Sequence, residues 1–234
     1  MAQKKVVILY SYFYTLMKKK LLLLLVLFLL MILVSGLFYY IKYQPNKTYT
    51  PFFNRPNESI VRVQKNNQKF QKHIDSLKQF ISQYSNYNNK IVFLIDMKIM
   101  SGKNRFYIFD LLNNKVLEKG LVAHGFGSET DNEDQLMFSN IPNSNATSLG
   151  KYSIDYSYIG QFGKAFKLIG LDKTNNKAFE RNIVLHHFES VPFYEQNISI
   201  CNSLGCPMVN KLFFNTLEKY IDQSDKSILL KIYY

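Results

Sequence analysis

Residues 182–187 read Asn-Ile-Val-Leu-His-His, and residues 201–207 read Cys-Asn-Ser-Leu-Gly-Cys-Pro. The first segment is short, rich in β-branched and apolar residues, and therefore predicts a buried strand that ends in two histidines. Because successive side chains of a strand point to opposite faces, only one of His186 and His187 can meet a given partner. The second segment places a cysteine, Cys206, directly after a glycine.

Similar short apolar segments occur on both sides of this stretch and predict a body made mainly of strands. The expected strands cover residues 91–95, 105–109, 116–123, 150–159, 165–171, 182–187 and 227–233. The second and third of these flank a turn at 112–114 and read as a hairpin. An apolar stripe from Val63 to Tyr84 predicts one helix, and Pro207 in a first turn predicts another over 207–221. The fold class is therefore mostly β with a few packing helices.

An uncharged hydrophobic run from Leu21 to Ile41 precedes this body. At about 1.5 Å per residue the run is roughly 30 Å long, which matches the hydrocarbon core of a bilayer. We expect residues 1–20 to be a cytoplasmic basic tail, 21–41 a single transmembrane anchor and 42–59 an extracytoplasmic linker, with the main domain at 60–234. A cleavable signal peptide with a small-residue site at Val34–Gly36 is the alternative, and it would give a secreted protein.

The charge of the chain is unevenly distributed. The formal net charge is +12, and residues 1–50 contain seven lysines and no acidic residue. Lysines that precede a hydrophobic run stay on the cytoplasmic side, so the body is expected to be periplasmic. This asymmetry favours a membrane as the partner of the N-terminal region. The sequence has no arginine-rich stripe of the kind that binds nucleic acid, so nucleic acid is not expected as a partner.

The two cysteines, Cys201 and Cys206, allow three interpretations. A pair outside the cytoplasm suggests a disulfide, and four intervening residues can close a small loop. A zinc site is disfavoured by the spacing and by the lack of a second pair. In the third interpretation Cys206 is a nucleophile, because it precedes the predicted helix, whose dipole would stabilise a thiolate. Such a thiol needs a base, and the histidines at 186 and 187 are the candidates.

A series of motifs in chain order resembles a known family. The motifs lie at residues 122–128, 138–140, 147–152, 158–163, 168–171, 175–186 and 203–207, and read VAHGFGS, FSN, TSLGKY, YIGQFG, LIGL, NNKAFERNIVLH and SLGCP. Together they cover about residues 60–234 and resemble the murein L,D-transpeptidase catalytic domain family, a branch of the YkuD-type transpeptidases. Many YkuD-type domains carry His-Gly-Cys followed by arginine, whereas this chain has Leu204-Gly205-Cys206-Pro207. The resemblance implies a YkuD-like β-sandwich or barrel.

The resemblance implies a cysteine acyltransferase that acts on peptidoglycan stem peptides and needs no metal or other cofactor. Carried onto this chain, Cys206 is the nucleophile, His186 is the general base, and the backbone N–H groups of Gly205 and Cys206 form the oxyanion hole. The carbonyl after His186 would orient the imidazole. A thioester on Cys206 would form with release of the terminal D-alanine and then pass to an amine. There are two alternatives. The protein could be an L,D-carboxypeptidase, in which water accepts the acyl group, or a catalytically inactive, membrane-anchored module that binds the cell wall.

Four further residues are expected near this site in substrate binding. Ser203 precedes the nucleophile, Arg181 could pair with a stem-peptide carboxylate, and His124 and Ser139 lie in the motif loops. Each also has a structural interpretation: a strand-end histidine before a glycine is often structural, and a loop serine often caps a turn.

Overall fold

The computed structural model describes residues 17–22, 24–25, 27–38, 58–132 and 135–234. The chain divides into two compact units, Met1–Pro56 and Asn57–Tyr234. The described residues leave out three parts of the predicted organisation. These are residues 1–16 of the basic tail, residues 39–41 at the end of the predicted span, and residues 42–57 of the linker. Glu58 and Ser59, at the end of that predicted linker, already belong to a helix.

The described part of the first unit is one helix, α1, over Met17–Phe38. Its 22 residues are about 33 Å long, so the helix is long and apolar enough to cross a membrane. The large apolar side chains that are described along it are exposed, as in a helix that presents apolar side chains to lipid. A signal sequence near the N-terminus has the same composition, so both interpretations fit this helix.

The second unit begins with helix α2, Glu58–Gln83, where the apolar stripe predicted one. Ile74, Leu77 and Ile81 on one face of α2 are buried. They pack in one cluster with Val92 and Leu229 from the sheet. The spacing of three and four residues along α2 therefore reflects core packing against the sheet.

The rest of the second unit is built on one eight-stranded mixed sheet, in the order β3-β2-β1-β8-β4-β5-β6-β7. The strands are β1 Ile91–Asp96, β2 Phe106–Asp110, β3 Lys115–Gly120, β4 Gly150–Gly160, β5 Gly163–Gly170, β6 Val184–His187, β7 Met208–Val209 and β8 Leu229–Tyr233. Parallel pairing joins β1 to β8 and β6 to β7, and all other neighbours are antiparallel. The predicted mostly-β class with a few helices is confirmed.

The two ends of this strand order are joined by the residues that follow β3. The N–H of Ala123 donates to the carbonyl of Met208 in β7 at 2.8 Å. One step further, Gly125 forms a parallel bridge with Ser203. These backbone contacts, the seam of the sheet, therefore link the segment that follows β3 to β7 and to Ser203.

Alternate residues of the central strands serve two different clusters. Val92 and Leu94 of β1 pack toward α2, whereas Phe93 and Ile95 belong to the main core with residues of helix α3. This division follows from the two-residue repeat of a strand. The sheet thus has α2 on one face and the larger core on the other.

The predicted helix over 207–221 begins later than expected. Met208 and Val209 form β7, which pairs with His186 and His187, and α3 covers Lys211–Asp222. Asn210 caps α3, because its side-chain oxygen accepts the N–H of Phe213 at 2.9 Å. Cys206 therefore lies in a loop before a short strand, and the expected stabilisation of its thiolate by a helix dipole is wrong.

Candidate active site

Strand β6 and the segment that begins at Cys206 run side by side. The parallel register pairs His186 with Met208, which places Cys206 beside Val184. Two contacts support this register: the Val184 N–H donates to the Cys206 Sγ at 3.4 Å, and the His186 N–H donates to the Pro207 carbonyl at 3.4 Å. The fold therefore brings the histidine strand and the cysteine loop together, although 20 residues separate His186 from Cys206.

The His186 imidazole is held by its own strand. Its Nδ1 lies 3.0 Å from the carbonyl oxygen of His187, and because a carbonyl can only accept, Nδ1 carries the proton. The neutral ring then has its lone pair on Nε2. Phe162 stacks on the ring, with centroids 5.2 Å apart. Burial lowers the pKa of His186 and outweighs the hydrogen bond to the His187 carbonyl, which raises it, while the His187 side chain lowers it further; the ring is therefore neutral near pH 7.

His187 points to the opposite side of β6, as strand alternation requires. Its ring packs edge-on against Phe214 of α3, with centroids 5.5 Å apart. Its Nε2 is the closest contact that a Cβ on Gly163 would meet, at 3.2 Å. His187 therefore belongs to the packing between β6, α3 and the β4–β5 turn.

The Cys206 side chain is half-buried, and its described hydrogen bonds run to backbone groups. Besides accepting the N–H of Val184, the thiol directs its S–H at the carbonyl of Asn182, 3.8 Å away. Burial raises the pKa of Cys206, while the Val184 N–H and the positive charges of Lys167 and Arg181 act in the opposite direction. The resting group is therefore a protonated thiol.

Gly205 has a conformation that suits glycine, with φ at +112°. A Cβ there would come within 2.9 Å of the carbonyl oxygen of Ala146 and 3.2 Å of the Arg181 guanidinium. The Gly205 N–H, one of the two expected oxyanion-hole donors, already donates to the Ser203 hydroxyl at 3.1 Å. An oxyanion at that amide would have to displace the hydroxyl of Ser203.

Ser203 ties the cysteine loop to the seam of the sheet. Its N–H donates to the carbonyl of His124 at 2.8 Å, and its carbonyl accepts the N–H of Phe126 at 2.7 Å. Gly125 packs against Gly205 so closely that a Cβ on Gly125 would lie 2.8 Å from the Cα of Gly205. The fold thus brings two of the sequence motifs, at 122–128 and 203–207, into direct contact.

The His124 side chain lies between Arg105 and Glu129 in a chain of polar contacts. Its Nδ1 lies 2.8 Å from the guanidinium of Arg105, which can only donate, so Nε2 carries the proton. That Nε2 donates to the carboxylate of Glu129 at 2.6 Å. Burial and the charge of Arg105 lower the pKa of His124. The backbone of His124 holds Ser203, and both of its ring nitrogens are occupied.

Arg105, which no sequence motif indicates, is fully buried and contacts His124. Its guanidinium also donates to the carbonyls of Val122, at 2.8 and 3.0 Å, and of Ile99, at 3.0 Å. Such a set of acceptors is what a buried arginine requires. In the sequence Arg105 only begins an apolar strand, and nothing in that pattern indicates its burial.

Arg181 contacts the loop over residues 139–148, which begins with Ser139. The guanidinium donates to the carbonyls of Ser139, at 2.8 Å, and of Ala146, at 2.6 Å, and to the Ser148 hydroxyl. The Ser139 hydroxyl accepts the N–H of Ile141 at 3.1 Å and so caps a turn. The arginine therefore clamps this loop beside Gly205, and substrate binding by either side chain stays a prediction.

Lys167 and Asn182 are two further residues near the thiol, and no sequence pattern indicates a role for either. Asn182 has a left-handed backbone, with φ at +56°, and its side-chain oxygen accepts the ammonium of Lys167 at 3.0 Å. Lys167 is buried. In the sequence it interrupts a run of apolar residues, Ala165-Phe166 and Leu168-Ile169, and only the β5–β6 pairing reveals its position.

Both cysteines are free thiols in the structure. Cys201 is half-buried and packs against an apolar cluster that contains Ile200 and Met208. Within the part of the chain that the structure describes, no three His, Cys, Asp or Glu side chains gather as a metal site would require.

Comparisons with known proteins cover most of the second unit. Residues 62–231 match the family model for the L,D-transpeptidase catalytic domain. No curated protein matches the chain.

Several solved structures are similar to the chain at low identity. An L,D-transpeptidase from Xylanimonas cellulosilytica has 14% identity and a TM-score of 0.33, over 62% of this chain and 61% of that one. One from Mycobacterium smegmatis has 10% identity and a TM-score of 0.35, over 62% and 59%. The helical cell shape determining protein Pgp2 from Campylobacter jejuni has 16% identity and a TM-score of 0.35, over 62% and 48%.

The chain thus spans between about half and three fifths of the length of these solved proteins. The family model covers well over half of the 234 residues and includes the strand of His186 and the loop of Cys206. The chain therefore belongs to the L,D-transpeptidase catalytic domain family.

Proposed function

We propose that the protein is a cysteine acyltransferase of peptidoglycan stem peptides, with Cys206 as the nucleophile and His186 as the general base. The observation that carries the proposal is the hydrogen bond from the His186 Nδ1 to the carbonyl of His187. It leaves the Nε2 lone pair available on the strand that adjoins Cys206. A backbone carbonyl here takes the orienting role that a carboxylate has in a serine-protease triad.

The first step moves the thiol proton to the imidazole. In the resting arrangement the S–H points at the Asn182 carbonyl, so the thiol must leave that carbonyl for its proton to reach the His186 Nε2. Burial favours a neutral imidazole before the step, which is the form that accepts a proton. The resulting thiolate is the reactive form of the cysteine.

The thiolate then attacks the carbonyl carbon of the third stem residue. The C–N bond to the terminal D-alanine breaks, and the proton held by His186 goes to the departing amine. A thioester on Cys206 remains. In the second half an acceptor amine attacks the thioester, His186 takes its proton, the C–S bond breaks, and the thiol is restored. Water in place of the amine gives L,D-carboxypeptidase activity.

The developing oxyanion needs N–H donors near Gly205 and Cys206. Because the Gly205 N–H is bonded to Ser203 at rest, we propose that the oxyanion displaces this hydroxyl when the tetrahedral intermediate forms. The hydroxyl of Ser203 can then itself turn to donate. In this role the Ser203 hydroxyl helps to stabilise the oxyanion and does not contact Cys206 itself.

Helix α1 supports a location at the cell membrane with the catalytic unit on the periplasmic side. Its apolar length suits a single span, and the lysines around its start favour a cytoplasmic N-terminus. Peptidoglycan lies outside that membrane, so such an anchor would hold the enzyme near its substrate.

The test uses the full chain in detergent with a disaccharide tetrapeptide fragment of peptidoglycan. We expect mass spectrometry to detect a thioester adduct on the protein and a product that has lost the terminal D-alanine. Cys206→Ala should abolish both, whereas Cys201→Ala, the matched control, should keep both. Cross-linked product would indicate transfer to an amine, and a shortened tripeptide alone would indicate hydrolysis. Binding without any adduct or turnover would contradict the proposal and favour an inactive wall-binding module.

A further inference from the structure

Among the described lysines of the catalytic unit, Lys167 alone is buried, and its partners differ from those of three partly buried lysines. Lys151 and Lys231 pair with Asp172, at 2.5 and 3.4 Å, and Lys164 pairs with Glu218 at 2.7 Å. Lys167 is more deeply buried, with 5% of the residue exposed. Among the residues that the structure describes, no carboxylate pairs with it.

The described contacts of the Lys167 ammonium leave its positive charge without a negatively charged partner. It donates to the side-chain oxygen of Asn182 at 3.0 Å, and it lies 4.6 Å from the ring centre of Phe179. Neither contact supplies a negative charge. Because a buried charge is rarely left uncompensated, an anion should occupy this neighbourhood in at least one state of the protein.

Asn182 brings the Cys206 sulfur next to this ammonium. The side-chain oxygen of Asn182 accepts from Lys167, and the backbone carbonyl of the same residue accepts the S–H of Cys206. Lys167 is also the β5 partner of Val184, whose N–H donates to the sulfur. Two independent connections therefore place the lysine beside the nucleophile.

We propose that the Lys167 ammonium is the charge partner of the Cys206 thiolate and that Asn182 positions the two groups. This inference rests on the proposed function, in which the thiolate of Cys206 is the attacking group. Lys167 then acts on the reaction through the sulfur rather than by touching the substrate, and His186 needs only to carry the proton.

Two other groups, Arg181 and Tyr152, interact electrostatically with the sulfur, and His186 lies on the adjoining strand; all three must be kept constant in a test. Arg181 lies against Gly205 with its guanidinium bonded to the 139–148 loop. The buried Tyr152 hydroxyl donates to the Ser148 carbonyl at 2.7 Å, and burial raises its pKa so that it stays neutral. The His186 imidazole is neutral near pH 7. None of these is altered by a substitution at 167.

The experiment measures the pH dependence of alkylation of Cys206 by iodoacetamide. It uses the full chain in detergent with Cys201→Ser, so that Cys206 is the only thiol. Lys167→Met and Lys167→Gln remove the charge in two shapes, and Lys167→Arg retains it. Lys164→Met, on the same strand, is the matched control because that lysine is paired with Glu218. Thermal unfolding of each variant identifies those that fold.

We expect either neutral variant that folds to raise the pKa of the thiol by about one unit or more, because an opposite charge at close range favours the thiolate. Alkylation at pH 7 should slow about tenfold. Lys167→Arg and Lys164→Met should titrate like the parent. An unchanged thiol pKa in the neutral variants would overturn the inference, even if they bound substrate less tightly. Alkylation uses no peptidoglycan, so this result is independent of whether acyl transfer occurs.

Discussion

His124 and His186 are both buried, and burial lowers the pKa of each, yet the two imidazoles have opposite partners. At His124 the Nδ1 accepts from Arg105 and the Nε2 donates to Glu129. At His186 the Nδ1 donates to the His187 carbonyl. The first ring is occupied at both nitrogens by charged groups, whereas the second has a hydrogen-bond partner at Nδ1 alone among the residues that the structure describes.

This difference teaches that burial alone does not identify a general base. An imidazole that accepts a proton during a reaction needs a free lone pair near the reacting group. Under the proposed function, His186 meets this need from the strand that adjoins the Cys206 loop. His124 instead holds the cysteine loop through its backbone carbonyl, which accepts the N–H of Ser203.

The largest expected effect is on the reaction rate when His186 is removed. His186→Ala should slow acylation of Cys206 by a carbapenem by about 10²–10⁴-fold, because general-base help is lost. The rate of adduct formation by mass spectrometry, alongside the thermal midpoint, measures this. His187→Ala is the matched control, since that ring packs against Phe214 and should affect stability more than rate. A greater loss of rate from His187→Ala or His124→Ala than from His186→Ala would reverse the assignment.

The second expected effect is on stability, at His124. His124→Ala leaves one N–H of the buried Arg105 without its acceptor, so the free energy of unfolding should fall by about 1–3 kcal/mol. Denaturant unfolding measures the loss. The folded fraction should still be acylated much faster than His186→Ala, and a rate as low as that variant would place His124 in the chemistry.

The same histidine makes stability depend on pH. Because the pKa of His124 is lower in the folded protein than its ordinary 6.5, the unfolded chain binds a proton more readily. Its contribution to stability is therefore fully present above about pH 6.5 and decreases as the pH falls below that value. His124→Gln should weaken this decrease in urea unfolding at a series of pH values, and an unaltered pH dependence would contradict it.

A smaller effect is expected at Phe162, whose ring stacks on His186. Phe162→Ala should expose the imidazole, so the pKa of His186 should rise toward its ordinary value and the acid limb of the acylation profile should move to higher pH. The maximal rate should fall about two- to tenfold from the loss of stacking. Phe193→Ala, which removes an exposed ring that packs on Tyr194, is the control and should shift neither. An unmoved acid limb in Phe162→Ala would count against a role for the stack.

The smallest perturbation is a direct reading of the two rings without any substitution. Their partners predict opposite tautomers, with the proton on Nε2 in His124 and on Nδ1 in His186. Long-range ¹H–¹⁵N correlation spectra of the histidine rings at neutral pH distinguish the two forms. Identical tautomers would remove the basis of the comparison.

The elements that the sequence predicts best are those with local patterns. The stripe of α2 and the strands of the body occur within a few residues of their expected positions, because each pattern matches the face that the element buries. The predicted start of α3 at Pro207 was wrong, because a proline in that sequence is typical of the first turn of a helix. The pairing of Met208 and Val209 with β6 is a tertiary contact that no local pattern contains.

The candidate site divides in the same way. Cys206, His186 and the glycine before the cysteine can be selected from motifs and spacing. Lys167, Asn182 and Arg105 could not be, because their importance comes from contacts across strands or between loops. Arg181 is instructive for the same reason: it was expected to meet a substrate carboxylate, and its guanidinium bonds to the 139–148 loop.

The seam at which Ala123 joins Met208 also bears on the order of folding. The seam pairs segments far apart in the chain, as does the parallel pairing of Phe93 with Leu230. Such contacts form slowly, because the entropy of closing long loops must be overcome first. The loop of Cys206 is held by residues at this seam, so a chain that is still folding carries a thiol without its partners. Under the proposed chemistry, acyl transfer would therefore begin only after this seam has formed.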